Sequence, residues 1–200
     1  MEKPIIFNTL MVQAILEDRK VETRRIINPK NNDGIRASMV YKSGLKDSDG
    51  NEVKKPYHIG DTLWVRETWC QIPNIRAFKV QTIYKADYKD GDFDELNKSF
   101  PKAIRWKPSI HMPRAEARLF LKVTAVKIQR LKDIKEPEAL KEGFISTAVA
   151  NFKGDDYTGL YAHEHFINVW DDIYAKQGNG WDFNPWVWVI EFERIDNYGQ

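Results

Sequence analysis

Two hundred residues are enough for one domain with elaborations, and 42% hydrophobic with 30% charged residues describe a folded chain, not a disordered one. A formal net charge of +2 excludes a protein basic throughout, yet residues 102–133 hold nine Lys/Arg against two acids and residues 134–200 hold five against twelve. Cys70 is the single cysteine, which excludes an intrachain disulfide, and no run is long and apolar enough for a bilayer.

The opening Met1-Glu2-Lys3-Pro4-Ile5-Ile6-Phe7 lacks the apolar stretch of a secretion signal, so a cytoplasmic protein with no membrane partner is expected. Pro4 to Phe7 reads as a short strand, and Asn8 or Thr9 as the N-cap of a helix running to about Asp18. Leu10, Met11, Ala14 and Ile15 are predicted to share its core face. Arg19-Lys20-Val21-Glu22-Thr23-Arg24-Arg25 then packs four cations, a hydroxyl and a carboxylate into seven residues. One reading is a solvated helix end, with cations at the negative end of the dipole. The other is a wall facing an anionic partner, in which Lys20 and Thr23 could do covalent chemistry if burial shifts the amine.

Pro29 closes this segment, and residues 30–56 read as a loop or irregular hairpin from the turn signals Asn31-Asn32-Asp33-Gly34 and Asp47-Ser48-Asp49-Gly50. Thr62 to about Trp69 is predicted as a strand with Leu63, Val65, Glu67 and Trp69 on one face and Trp64, Arg66 and Thr68 on the other. Glu67 on the apolar side is either paired, with an arginine for instance, or functional. Val80 to Ala86 is a further strand, and residues 87–101 an acidic loop. Residues 106–114 carry Pro108 and Pro113 and are expected to be extended, followed by a long strand from about Arg118 to Ile128.

Asp133 to Gly143 reads as a short helix, with Pro137 in its first turn and Gly143 just past its end. That puts Glu142 at the negative end of the dipole, where a carboxylate is disfavoured. Residues 158–176 carry Leu160, Ile167, Trp170 and Tyr174 at core spacing, and Gly178 and Gly180 stop the helix. Last comes a strand with Trp186, Trp188, Ile190 and Phe192 on one face, and Val187, Val189, Glu191 and Glu193 on the other. Several strands with few helices predict an α+β fold, a small mixed sheet or barrel decorated by helices.

Three stretches in order resemble the ASCH family, a branch of the PUA-like superfamily, in a version common in phage and prophage genomes. Residues 11–25 are similar to its helix followed by Lys-x-x-Thr-x-Arg. Residues 60–67, Gly60-Asp61-Thr62-Leu63-Trp64-Val65-Arg66-Glu67, look like its Gly-Asp turn and strand, and Ala139-Leu140-Lys141-Glu142-Gly143 like its Ala-x-x-Glu-Gly helix end. The resemblance covers about half the chain. It implies one domain over residues 1–200, a PUA-like β-barrel core with peripheral helices and insertions at about 30–56, 71–108 and 144–183. It also implies RNA, a nucleoside or a nucleotide as partner, without metal or cofactor. In the family's N4-acetylcytidine amidohydrolases the matching positions are catalytic, which here are Lys20, Thr23 and Glu142.

The corresponding chemistry has Thr23 attack an acyl carbonyl while Lys20, its amine made less basic by burial and by Arg24 or Arg25, takes the proton and Glu142 holds the lysine. Each role has a plain alternative: Thr23 as a strand former, Lys20 in an ordinary ion pair with Glu142 or Glu22, and Glu142 in solvent. Candidate ligand contacts are Arg24, Arg25, Trp64, Arg66, Glu67, Trp69, His111 and Arg114. Aromatics among cations suit a flipped or single-stranded base, and core filling is the alternative for the tryptophans. His163-Glu164-His165 cannot hold one metal from one helix, because positions i and i+2 diverge by about 200°. Cys70 reads as a small core residue. The expected function is therefore binding of RNA or a modified nucleoside. The alternatives are deacylation of an N4-acetylcytidine-like base and, from another class, a phage accessory protein that binds a host protein.

Overall fold

The computed structural model describes residues 1–27, 53–74, 79–88, 92, 105–147, 149–150, 157–196 and 198. Most of the expected loop at 30–56, with both of its turn signals and Pro29, lies outside the described residues, as does most of the acidic stretch 87–101. The fold is mixed α+β, and its residues gather into two compact units interleaved along the chain.

The first unit comprises residues 1–18, 61–122 and 194–200. Strand β1 (Glu2–Ile6) pairs in parallel with β3 (Thr62–Arg66), and β3 pairs antiparallel with the start of β6 (Phe120–Arg130). Helix α1 (Thr9–Leu16) is capped by Asn8, whose Oδ1 accepts from the Met11 amide at 2.9 Å. Its buried residues are Val12, Ala14 and Ile15, whereas Leu10 is 71% exposed, so the core stripe sits about one position from the expected one. β4 (Trp69–Asn74) and β5 (Lys79–Tyr84) make an antiparallel ribbon around Cys70, Ile72 and Ile83, which confirms Cys70 as a core residue. The expected strand from Thr62 to Trp69 is thus two strands. Its alternation survives the break: Leu63, Val65, Glu67 and Trp69 are all buried. Residues 106–114 are not wholly extended, because short 3-10 turns form at Ser109–His111 and Arg114–Glu116.

The second unit comprises residues 19–60 and 123–193. Here β2 (Glu22–Ile26) pairs antiparallel with β9 (Trp186–Ile195), in the strand order β6-β9-β2 with β2 at the edge. α2 (Glu136–Lys141) has Pro137 in its first turn, and Gly143 leaves its end with φ +93°. β7 (Val149–Ala150) and β8 (Tyr157–Thr158) form a small ribbon, and α3 (Ala162–Tyr174) ends before Gly178 at φ +74°. The core joins Leu131, Ile134, Ala139, Ala162, Phe166, Trp170, Val187 and Val189. On α3 the buried position is Phe166, not Ile167. β9 is buried on both faces from Val187 to Ile190, because Val187 and Val189 are covered by the helical cluster. Among the described residues no helix is long and apolar enough to cross a membrane.

Candidate functional site

In the second unit the cationic stretch is folded inward. Lys20 sits just ahead of β2 and forms an isolated antiparallel bridge with Glu142, and the Val21 amide donates to the Lys141 carbonyl at 2.9 Å. α2 is aimed by its apolar side, where Ala139 is fully buried in the core. Its first turn is closed by Glu138, whose Oε2 accepts from the Lys135 amide at 2.6 Å. Glu142 therefore leaves the C-terminal end of a fixed helix and meets the lysine. The solvated-helix-end reading fails here: Lys20 is 2% exposed and Arg24 3%.

The Lys20 ammonium donates to Glu142 Oε2 at 2.7 Å, to the Glu142 carbonyl at 2.8 Å and to the Glu22 carbonyl at 2.9 Å. An ammonium carries three protons, and three oxygens accept them. Burial pushes the Lys20 amine below its ordinary value, Glu142 opposes the shift, and Arg25 and Arg24 add to it. Arg24 Nη1 then bridges the two carboxylates, 3.0 Å from Glu142 Oε1 and 2.5 Å from Glu22 Oε1. Burial raises Glu22, with Glu142 and Glu191 adding to the rise and Arg24 opposing it. Two cations and two carboxylates thus form a buried, charge-neutral tetrad. The Glu142 position, unfavourable for the helix dipole, is offset by two cations rather than by water.

The register of β2 against β9 decides which side chains share a face. Glu22, Arg24 and Ile26 lie opposite Glu191, Val189 and Val187, on the face covered by α3; the Arg24 guanidinium is 5.9 Å from the Phe166 ring centre. Its Nη2 reaches Gln129 Oε1 at 3.4 Å, and its Nε has no partner among the described residues. Thr23 and Arg25 lie opposite Ile190 and Trp188, on the other face. Thr23 is 1% exposed. Lys20 and Glu142 are brought into contact, then, while Thr23 leaves β2 on the side away from the Glu22 and Arg24 side chains. Arg25 is half-buried, and its charge acts on Tyr57, whose phenol burial raises.

The remaining expected contacts belong to the first unit. Glu67, 1% exposed, receives a two-pronged grip from Arg118 Nε and Nη2 at 2.9 and 3.0 Å, so its paired reading is the one realised. Arg118 also meets Asp87 at 2.7 Å and lies 4.0 Å over the Tyr84 ring, whose phenol burial pushes up to about 12. Arg66 does not reach outward: it donates to the Met112 carbonyl at 3.1 Å and to the Ile110 carbonyl, clamping the turn, with Trp64 5.3 Å beneath it. Arg114 grips Glu2 at 2.8 and 3.2 Å and covers Phe120. Trp69 is a core residue, 4% exposed, with the Lys107 amine 4.4 Å from its ring. Trp64 is half-buried and His111 exposed.

The two histidines of α3 separate as expected. His163 lies edge-on to Trp181, and His165 Nε2 is 3.3 Å from Thr147 Oγ1. Among the described residues no group of His, Cys, Asp and Glu could hold a metal. A depression of about 370 Å³ is lined by Ile134, Lys135, Glu136, Tyr161, His163 and Glu164, none of them a tetrad member. Glu136 closes the start of α3 there, accepting from the Ala162 and His163 amides at 2.9 and 2.8 Å.

Sequence reasoning named Glu22 only as a pairing partner for Lys20, where its carboxylate in fact meets Arg24, and passed over Gln129 altogether. A signal existed for the first: Glu22 and Arg24 are opposite charges two apart on a strand, which places them side by side on one face. Fold and site together define a mixed α+β protein with a buried ionic tetrad joining an edge strand to a helix end. No protein-family model, curated protein or solved structure matches the chain.

Proposed function

We propose that this is a PUA-like, ASCH-type protein that binds RNA or a modified nucleoside beside the Lys20–Glu142 pair. One observation carries the reading: a fully buried ammonium–carboxylate contact of 2.7 Å joins two signature positions that lie 122 residues apart. Burying two charges costs several kcal/mol unless geometry and extra hydrogen bonds offset it, and ionisable pairs held in that way recur at functional sites. Arg25, half-buried on the other face of β2, is the group proposed to meet the ligand's polar edge, with Thr23 buried beside it on that face. Arg66, Glu67 and Arg114 leave this list, because partners within the first unit occupy them.

Deacylation of an N4-acetylcytidine-like base is the second reading. It is favoured by the lowered basicity of Lys20 together with its contact to Glu142, the combination a buried general base requires. It also requires Lys20 to give up a proton that three oxygens now hold, which places it second. Calorimetric titration of the protein with cytidine, N4-acetylcytidine and a short single-stranded RNA, with chromatography for released cytidine, tests both. Binding that weakens in Arg25→Ala without turnover supports the first reading. Turnover abolished in Lys20→Met supports the second. Neither binding nor turnover refutes both and leaves capture of a host protein as the reading to pursue.

A further inference from the structure

The two residues that fill the variable positions of Lys20-x-x-Thr23-x-Arg25 on one face of β2 are Glu22 and Arg24. Both are buried, at 3% exposure each; Arg24 meets Glu142 through its guanidinium, while Glu22 meets Lys20 through its backbone carbonyl and Arg24 through its carboxylate. We infer that Glu22 and Arg24 are a positioning pair that sets the charge state of Lys20 and the orientation of Glu142. The inference rests on the site reading above and assigns these two residues a role that the signature does not.

Geometry supplies the argument. Glu142 has two carboxylate oxygens, and each has one cation: Oε2 faces Lys20 at 2.7 Å and Oε1 faces Arg24 at 3.0 Å. Arg24 can hold that place because the same nitrogen is anchored by Glu22 at 2.5 Å and its other arm by Gln129 of β6. Turning the Glu142 carboxylate would break both contacts, so Arg24 fixes the oxygen that Lys20 meets. Among the described residues, charges around Lys20 and its partners come from three neighbouring elements. β2 supplies Glu22, Arg24 and Arg25, α2 supplies Glu142, and β9 supplies Glu191, which is held by Lys127 of β6 at 2.5 Å. In such a site each unit charge acts on the others with little screening. Arg24 opposes the proton on Lys20 directly and through Glu142, and Glu22 offsets Arg24.

The signs that follow are opposite for the two residues. Arg24→Gln takes a cation away from Lys20, so Lys20 keeps its proton to higher pH. Glu22→Gln, nearly the same shape, takes an anion away, so Lys20 loses its proton at lower pH. The double variant removes a neutral pair and returns Lys20 toward its wild-type titration. A merely structural role predicts something else. Loosening the site lets water reach Lys20, and both single variants then move it upward, toward the ordinary lysine value.

The experiment is a pH titration of the full chain carrying ¹³C at the lysine ε-carbons, with the Lys20 resonance assigned from Lys20→Arg. Downward displacement in Glu22→Gln, upward displacement in Arg24→Gln and return in the double variant are expected. Same-direction displacement, no displacement, or a Lys20 that keeps its proton in every variant across the stable pH range overturns the inference. Arg24→Lys, which keeps the charge, gives a smaller displacement than Arg24→Gln and separates charge from shape. The readout needs no ligand and no turnover. A protein that fails the nucleoside and RNA assays can still pass this one, and the reverse also holds.

Discussion

Replacing Lys20 by Met keeps most of the side-chain volume and removes one charge from a site with none to spare. The side chain is fully buried, and three oxygens lose their donor together. What remains is Arg24 between Glu22 and Glu142, a buried group of net charge −1. Removing one partner of a buried pair costs about 3–5 kcal/mol, because the other charge is left uncompensated. A surface pair would cost only about 0.2–1 kcal/mol. At roughly 2–4 °C per kcal/mol for a chain of this size, Lys20→Met is expected to lower the melting temperature by about 6–20 °C. Glu142→Gln leaves the opposite excess and is expected to cost a similar amount. The double variant returns the site to neutrality, with Arg24 and Glu22 still paired, and recovers more than half of the summed loss. Urea unfolding followed by circular dichroism at neutral pH, on wild type, both singles and the double, gives the coupling energy directly. A Lys20→Met cost below about 1 kcal/mol, or a double variant equal to the sum of the singles, would refute the claim that these charges act as one unit.

Two further outcomes are expected. Lys20 titrates below 10.5 in the folded state, so between its folded value and 10.5 the unfolded chain binds the proton more tightly and its contribution to stability grows as pH rises through that window. The advantage of wild type over Lys20→Met should therefore widen from neutral pH toward 10.5 in parallel urea titrations; an advantage that narrows contradicts the direction assigned to Lys20. In the first unit, Arg118→Ala strands the buried carboxylate of Glu67 and is expected to cost about 3 kcal/mol in urea unfolding. Glu67→Gln, which keeps the shape and leaves no buried charge, should cost less. The reverse order would refute the assignment of the cost to a stranded Glu67 carboxylate.

Local rules were legible where local chemistry decides. Asn8 caps α1, Pro137 and Gly143 bracket α2, and Gly178 follows α3, because caps and breakers act within one turn. The alternation of Leu63, Val65, Glu67 and Trp69 held through the break between β3 and β4, since the pleat requires only extended backbone. Faces were less legible. Leu10 and Ile167 satisfied a helical period, yet the neighbours each helix found put Val12 and Phe166 in the core instead. β9 was expected to carry its strongly apolar face on the side of Trp186, Trp188, Ile190 and Phe192. Val187 and Val189 are nonetheless covered by residues from α2 and α3.

The seven residues from Arg19 to Arg25 show the division most plainly. Composition alone announced a concentration of charge after a helix; once Glu22–Ile26 is a strand, its period puts Glu22 with Arg24 and Thr23 with Arg25. Whether those charges faced water or one another could not follow from spacing, because the partner of Lys20 is 122 residues away. Only the packing of α2 on its core, through Ala139, brings Glu142 to the lysine and Arg24. Desolvation then makes pairing obligatory, since an ammonium removed from water must find its acceptors within the fold. The sequence by itself determined which groups carry charge and, given a strand, which of them share a side. Tertiary structure decided which of them are buried, and so which are held as pairs.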